Sequence, residues 1–409
     1  MSVLEVASDR LVAELNAARV QSDNLFNTLT AEAIYRRPIA ERHRLIFYIG
    51  HLDGFDSIQI CRETLGLKSP DSALDDLFQA GIDPDAGHLP KDTPADWPAI
   101  EQVRAYVERC RQRVDENLER APEEAVHMAL EHRLMHLETL AYMFHNFPLD
   151  LKRSPLEYRP ESTLSVDRGN EWREIPAGNV TLGKPHDGSF GWDNEYEEHR
   201  TRIPAFRVQR FPVSNGDYLK FVRAGAAVPN FWVQESEQIF YRGMFTKIPL
   251  PLDWPVYVTQ FEAEAYAAWL GKGLMSEGEF HRAAYGTATN EERAHPWGLA
   301  PPSAERGNFN SRAWDPESVY SSSAGDSAFG VSQLVGNGWE WTSTLFAPFP
   351  GFEQRPSYPG YSANFFDNQH SVLKGGSAYT AAPLLRRSFR NWFRRDYPYM
   401  YAKFRCIDR

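Results

Sequence analysis

The chain changes character near residue 150, and that break constrains its fold more than any other feature. Before it, apolar residues recur at helical spacing in "VLEVASDRLVAELNAARVQSDNLFNTL", "ERHRLIFYIGHLDGFDSIQICRETLG", "AIEQVRAYVERCRQRVDENLERA" and "PEEAVHMALEHRLMHLETLAYMFHNF". Gly66 ends the second segment as a C-cap would, and Pro122 suits the first turn of the last. Four long helices joined by loops predict an up-and-down bundle over residues 1–150. Residues 151–165, "LKRSPLEYRPESTLS", read as a linker. From 166 to 409 Gly, Pro, Asn and Trp rise and long helical periods become rare. There "WREIPAGNVTLGK", "IPAFRVQRFPVSNGDYLKFV" and "HSVLKGGSAY" read as short strands and turns, and "TQFEAEAYAAWLGKGLMSEGEFHRAAYG" as helix, Gly break and helix. The fold class expected is α+β: a helical bundle followed by a mixed, loop-rich domain.

Composition removes several classes of function. A length of 409 residues favours more than one domain. A net charge of −11 argues against a nucleic-acid binder, which would show a basic face. No apolar run approaches a membrane span, and the first twenty residues have no apolar signal core. Cys61, Cys110 and Cys406 are too few and too scattered for a disulfide framework or a zinc knuckle, which fits a reducing cytoplasm. The chain is expected to be a cytoplasmic monomer.

The stretch "HRLMHLE", residues 132–138, carries the strongest chemical signal. His132 and His136 are one helical turn apart, so they share a face and can offer two nitrogens to one metal ion. His51 is the best third ligand: it sits in the second helical segment among Phe47, Ile49 and Leu52. His43 lies in a charged stretch, and His145 turns away from the His132/His136 face. Imidazole suits Fe, Zn, Cu or Ni, so ligand type alone leaves the metal open. Glu138 is placed to orient an imidazole N–H from the outer shell.

With these residues in view the N-terminal half resembles the DinB-like four-helix bundle. The C-terminal half resembles the formylglycine-generating-enzyme-like fold, a relative of C-type lectin domains. Its carriers are "FPVSNGDYLKFV", "PVYVTQFEAEAYAAWLGKGLMSEGEFHRAAYG", "HPWG", "GNGWEWTSTLF", "VLKGGSAY" and "RRSFRNWF…KFRC" in that order. The two halves together resemble the non-heme iron sulfoxide synthases of ergothioneine biosynthesis. That resemblance implies Fe(II) on His51, His132 and His136, with O2 as co-substrate. It also implies coupling of a thiol to imidazole C2 of trimethylhistidine (hercynine), and a second domain that forms the substrate pocket. Asn391 and Trp392 match the family's hercynine-lining pair, Phe47 matches another pocket position, and Tyr358 and Tyr361 resemble a tyrosine pair of which one member donates a proton. A structural calcium could sit in the loop-rich half, though no ligand set stands out.

Three departures bear on the donor. The relatives that use γ-glutamylcysteine carry two arginines in the loop where this chain reads "PDAGHLPKDTPADW". They place Asp where Phe393 stands here, and glutamine where Met135 precedes His136. Two donors remain: free cysteine, and a selenosugar as in the related selenoneine synthases. Phe393, Arg394 and Arg395 would form an aromatic and basic wall suited to a sugar ring, which tilts the reading to the selenosugar; Asp396 could still serve an amino acid. The paired cysteines of formylglycine-generating enzymes are missing after "GGS". Two other classes compete. A DinB-type thiol transferase leaves the second domain unexplained, and a lectin-like binding protein with packed histidines predicts no metal uptake.

Overall fold

The computed structural model describes residues 7–79, 81, 89–159 and 169–409. The chain divides into two compact units, Met1–Glu157 and Tyr158–Arg409. The division falls inside the stretch read as linker. Residues 151–153 return to the first unit, where Leu29 bridges to Lys152 and the Arg153 N–H donates to the Thr28 carbonyl. Tyr158 instead donates its hydroxyl to Asp315 of the second unit at 2.7 Å.

The first unit is built on helices α1 (Asp9–Phe26), α2 (Leu45–Asp56), a short α3 (Ser72–Phe78), α4 (Ile100–Asp115) and α5 (Glu123–His145). Their starts carry side-chain caps where the sequence supplies them: Ser8 accepts from the Leu11 N–H and Asp71 from the Leu74 N–H. Helix α2 runs on as a π-helical stretch, Ser57–Thr64. α5 has acidic residues in its first turn and His145 in its last, and it is buried on nearly every side.

The four long helices are present, but not in simple up-and-down pairing. α1 packs on α5 and α2 on α4, so consecutive helices are not principal partners. The links 27–44 and 65–99 are long enough to carry the chain across the bundle. Ion pairs close it: Arg19 holds Asp115 at 2.6 Å and Arg111 holds Asp23 at 2.7 Å, tying α1 to α4. At the centre Arg133 of α5, fully buried, donates to Asp53 at 2.8 Å and Asp56 at 2.6 Å on α2 and to Ser22 on α1. Burial alone would raise the Asp53 carboxyl, but Arg133 and Arg111 outweigh it and hold it below the usual carboxylate range.

The second unit contains β1 (Trp172–Ile175), β2 (Gly178–Leu182), β3 (His199–Ile203), β4 (Phe206–Gln209), α6 (Asn215–Arg223), β5 (Trp232–Glu235), β6 (Gln238–Arg242) and β7 (Lys247–Pro249). It continues with α7 (Gln260–Trp269), β8 (Gly273–Leu274), α8 (Glu277–Tyr285), β9 (Trp339–Leu345), β10 (His370–Lys374), β11 (Asn391–Arg394), β12 (Ala402–Lys403) and β13 (Cys406–Asp408). Two four-stranded sheets, ordered β1-β4-β13-β8 and β11-β10-β9-β12, are accompanied by the hairpin β2-β3 and the three strands β5-β6-β7. Helices α7 and α8 begin in capping boxes, Thr259 with Glu262 and Ser276 with Glu279, on either side of the expected Gly break. "NGDYLKFV", read as strand and turn, is helix α6 instead: Ser214 accepts from the Asp217 N–H and starts it. The core packs Ile175, Val180, Val208, Phe280 and Ile407 between sheet and α8. In "GNGWEW" Gly338 adopts φ 132°, and a Cβ there would lie 2.8 Å from the Tyr257 ring. Glu340 of that motif takes Arg405 at 2.8 and 3.2 Å, both fully buried. No helix among the described residues is long and apolar enough to cross a membrane.

Replacing Arg133 with Met would leave Asp56 without its close buried cation. The expected loss is about 3–5 kcal/mol of stability in the first unit, the scale for breaking one side of a buried pair. Urea unfolding followed at helical wavelengths measures it, and an unchanged midpoint would show that the network contributes nothing.

Candidate metal centre

His51 of α2 and His132 and His136 of α5 are all buried, and each offers a ligand atom within 4.8 Å of the others'. The Nε2 atoms of His51 and His136 stand 3.2 Å apart. Imidazole nitrogens bind an ion such as zinc at about 2.0–2.1 Å, so two ligands of one ion can be up to about 4.2 Å apart. The close pair falls within that limit.

The donor chemistry also fits. His51 Nδ1 lies 2.6 Å from the Phe78 carbonyl. A carbonyl can only accept, so Nδ1 carries the proton and the lone pair is left on Nε2, facing His136. Burial lowers His51 to about 4, against a smaller opposing effect of the Phe78 bond. Burial, and then the neighbouring histidines, push His132 and His136 well below the ordinary value. All three are therefore neutral at pH 7, with lone pairs available.

Aromatic rings hold the imidazoles from outside. Phe55 stacks on His132 at 3.5 Å and 9°, Phe47 on His51 at 4.8 Å, and His43 on Phe47 at 4.0 Å. Phe47 is thus fully buried between two histidines, a support for His51. Phe47, His51 and Phe55 recur every fourth residue, a spacing visible in the chain that places them along one face of α2. The acceptor that orients His51 is the Phe78 backbone carbonyl; Glu138 lies buried on α5 two residues beyond His136. Met135 is half-buried on the same helix. The described part of "PDAGHLPKDTPADW" does meet arginines, from elsewhere in the chain. Arg44 holds the Asp92 carboxylate at 2.9 Å and its carbonyl at 2.7 Å, and Arg37 pairs with the same carboxylate. Both are spent on the loop's own acid.

In the second unit, strand β11 pairs with β10 so that Val372 faces Trp392 and Leu373 faces Asn391. Trp392 stacks on Phe346 at 4.4 Å and 4°, and meets Tyr361 edge-on at 5.3 Å. Tyr361 stacks on the buried Trp192 at 4.0 Å, with Tyr358 6.0 Å away. Tyr358, Tyr361 and Trp392 are therefore one aromatic cluster. Burial raises the Tyr358 phenol to about 12, so it keeps its proton at neutral pH. The Asn391 side-chain oxygen accepts the Trp392 N–H at 2.9 Å. The expected aromatic and basic wall is only partly formed. Phe393 stacks on Tyr397 at 5.2 Å and Arg394 is exposed. Arg395 turns to α7, where it meets Gln260, holds Glu264 at 2.8 Å and lies 4.6 Å above the Phe261 ring. An acid on a neighbouring helix captures it, so it does not stand free for a ligand. Among the described residues the histidine triad is the one cluster of three or more metal-capable side chains, so no acidic set for a calcium stands beside it.

Residues 162–409 match the Sulfatase-modifying factor enzyme 1-like domain, and residues 14–144 match the DinB superfamily. The chain is 31% identical to hercynine oxygenase of Mycolicibacterium smegmatis, over 96% of each chain. It is 35% identical to hercynine oxygenase of Mycolicibacterium thermoresistibile, over 81% of this chain and 78% of that one. Ergothioneine biosynthesis protein 1 of Neurospora crassa is 27% identical over 93% of this chain, which spans about 55% of the fungal protein's length.

Two outcomes follow from the triad. His132→Ala and His136→Ala should each abolish uptake of one equivalent of Fe(II) while helicity stays unchanged; full uptake by either would remove that residue from the centre. The second concerns acid. An unfolded imidazole takes a proton near 6.5 and folded His51 only near 4, so the unfolded chain binds more protons between these values. The His51 contribution to the stability of the metal-free protein should be constant above pH 6.5 and be lost as pH drops from 6.5 towards 4. His51→Gln should reduce that slope in urea titrations across the window, His132 and His136 contributing the rest.

Proposed function

The chain belongs to the hercynine oxygenase family, and on that footing we propose that it is an O2-dependent non-heme iron enzyme acting on hercynine. The reaction forms a C–Se or C–S bond at C2 of the imidazole. The observation that carries the reading is the convergence of three neutral, buried imidazoles in a chain similar end to end to a hercynine oxygenase.

His51, His132 and His136 would hold iron(II), which when bound would pass electrons from the two substrates to O2. The residues do the rest. Three protein ligands leave room for exogenous ones, and helices fix them before substrate arrives, which removes much of the entropic barrier. With a thiol donor the balance closes on O2. Loss of the C2–H and S–H gives up two electrons, oxidation of sulfur to the sulfoxide gives up two more, and the second oxygen atom leaves as water. Tyr358, protonated at neutral pH, and Tyr361 beside it are the phenols assigned to proton delivery. The aromatic faces around Trp392 suit a trimethylammonium group, which cannot donate a hydrogen bond.

A selenosugar is the donor we favour. Phe393, stacked on Tyr397, offers a ring where relatives use an acid to hold an ammonium, and the arginines that touch the 91–97 loop are spent on Asp92. Free cysteine is the second reading, favoured by the exposed Asp396 and by relatives named for ergothioneine. The test is anaerobic reconstitution with iron(II), then hercynine and O2 with a selenosugar, cysteine or γ-glutamylcysteine, with products followed by mass. A selenium adduct is expected. A cysteine adduct alone would replace the donor, and no product from iron-loaded protein would overturn the hercynine reading.

A further inference from the structure

We propose that α3 and the residue Gly81 beyond it form a backbone brace that positions His51 for the metal, with Gly50 and Phe78 as its positioning residues. This rests on the metal centre described above and deepens it.

Four contacts carry the inference. The Phe78 carbonyl takes the His51 Nδ1–H at 2.6 Å, and the Gly81 carbonyl lies 2.9 Å from His43 Nε2. Those two imidazoles flank Phe47, so one short segment holds both ends of the His43–Phe47–His51 column. The segment can approach because α2 lacks side chains there. A Cβ on Gly50 would lie 2.5 Å from the Phe78 ring, and one on Gly54 would lie 2.8 Å from the Tyr106 hydroxyl. Tyr106 in turn stacks on Phe78 at 5.4 Å and donates to Asp75 of α3 at 2.7 Å. Gly50 and Gly54 are one turn apart and bracket His51, so the notch that admits the brace and the ligand it orients are one piece of helix.

The consequence is chemical. A carbonyl on Nδ1–H fixes the tautomer that presents Nε2 to the ion and makes Nε2 a better donor. Outer-shell partners of this kind are worth about 10–100-fold in metal affinity. A Cβ at position 50 must displace the Phe78 ring and with it the carbonyl.

The experiment uses the full-length protein and cobalt(II), whose visible spectrum reports the ligand geometry. Gly50→Ala should weaken cobalt(II) binding roughly tenfold and shift its visible bands at saturation. Gly50→Ala/Phe78→Ala, which removes the obstructing ring, should recover most of both. Gly50→Ala that is folded by circular dichroism with wild-type affinity and spectrum would overturn the brace, as would a double variant with no recovery. If Gly50→Ala does not fold, Tyr106→Phe decides. It removes the hydrogen bond to Asp75 without crowding α2, should weaken binding in the same direction, and overturns the brace if it does not. Hercynine turnover does not enter the measurement, so a chain that binds cobalt yet makes no product fails the functional reading and leaves this one tested. A wild-type chain that takes up no cobalt would overturn the brace and the metal centre together.

Discussion

The bundle depends on one buried cation. Arg133 reaches from α5 to Asp53 and Asp56 of α2, with no solvent on either side of the pair. Removing such charges from water is expensive, and the cost is recovered only when geometry is good and the remaining donors are satisfied. The pair therefore penalises any sliding of α5 along α2. Its members are next to the metal ligands: Arg133 follows His132, and Asp53 lies two residues past His51. The register that satisfies the ion network is the register that brings the imidazoles together. Arg111, held between Asp23 and Asp53, extends the same constraint to α1 and α4.

That register explains why three lone pairs can be kept in one place. Neutral imidazoles gain little from facing each other, and burial removes the protonated form as a way out. The arrangement is held by what lies behind the rings: Phe55 against His132, Phe47 against His51, and the Phe78 carbonyl on Nδ1. Such preorganisation is what a metal site needs, because ligands that must be gathered on binding weaken it by the entropy of gathering them.

The parts of this legible in the sequence are those written in side-chain periodicity. The switch near residue 150, the helical spacing of His132 and His136, and the placement of His51 on another helix all follow from counting residues. Bundle pairing did not, because it is decided by contacts such as Arg133 with Asp53, eighty residues apart, which no local pattern marks. Helix α6 is hidden for a different reason. Its aromatic and β-branched residues suggest a strand, yet Ser214 and Asp217 form a local capping pair that wins. Phe78 acts through its carbonyl, which every residue possesses, so its role has no signature. The sequence neighbours of Arg395 suggest a basic wall, whereas its partner Glu264 lies on α7.

Strand alternation sharpens what the Asn391–Trp392 pair can do. Successive side chains of β11 point to opposite faces, so Asn391 lies with Phe393, and Trp392 with Arg394. A quaternary ammonium is drawn to the open face of an aromatic ring. One face of Trp392 is already covered by Phe346, in a parallel stack at 4.4 Å, and Tyr361 has given a face to Trp192. Phe365 lies 5.6 Å from the same indole, so the half-buried Trp392 is set within a ring of aromatic side chains. The Asn391 oxygen is engaged by the Trp392 N–H, so the amide orients the strand that carries the tryptophan. Phe393 lies on the opposite side of the strand, where it stacks on Tyr397, so the two neighbouring rings of β11 serve different surroundings.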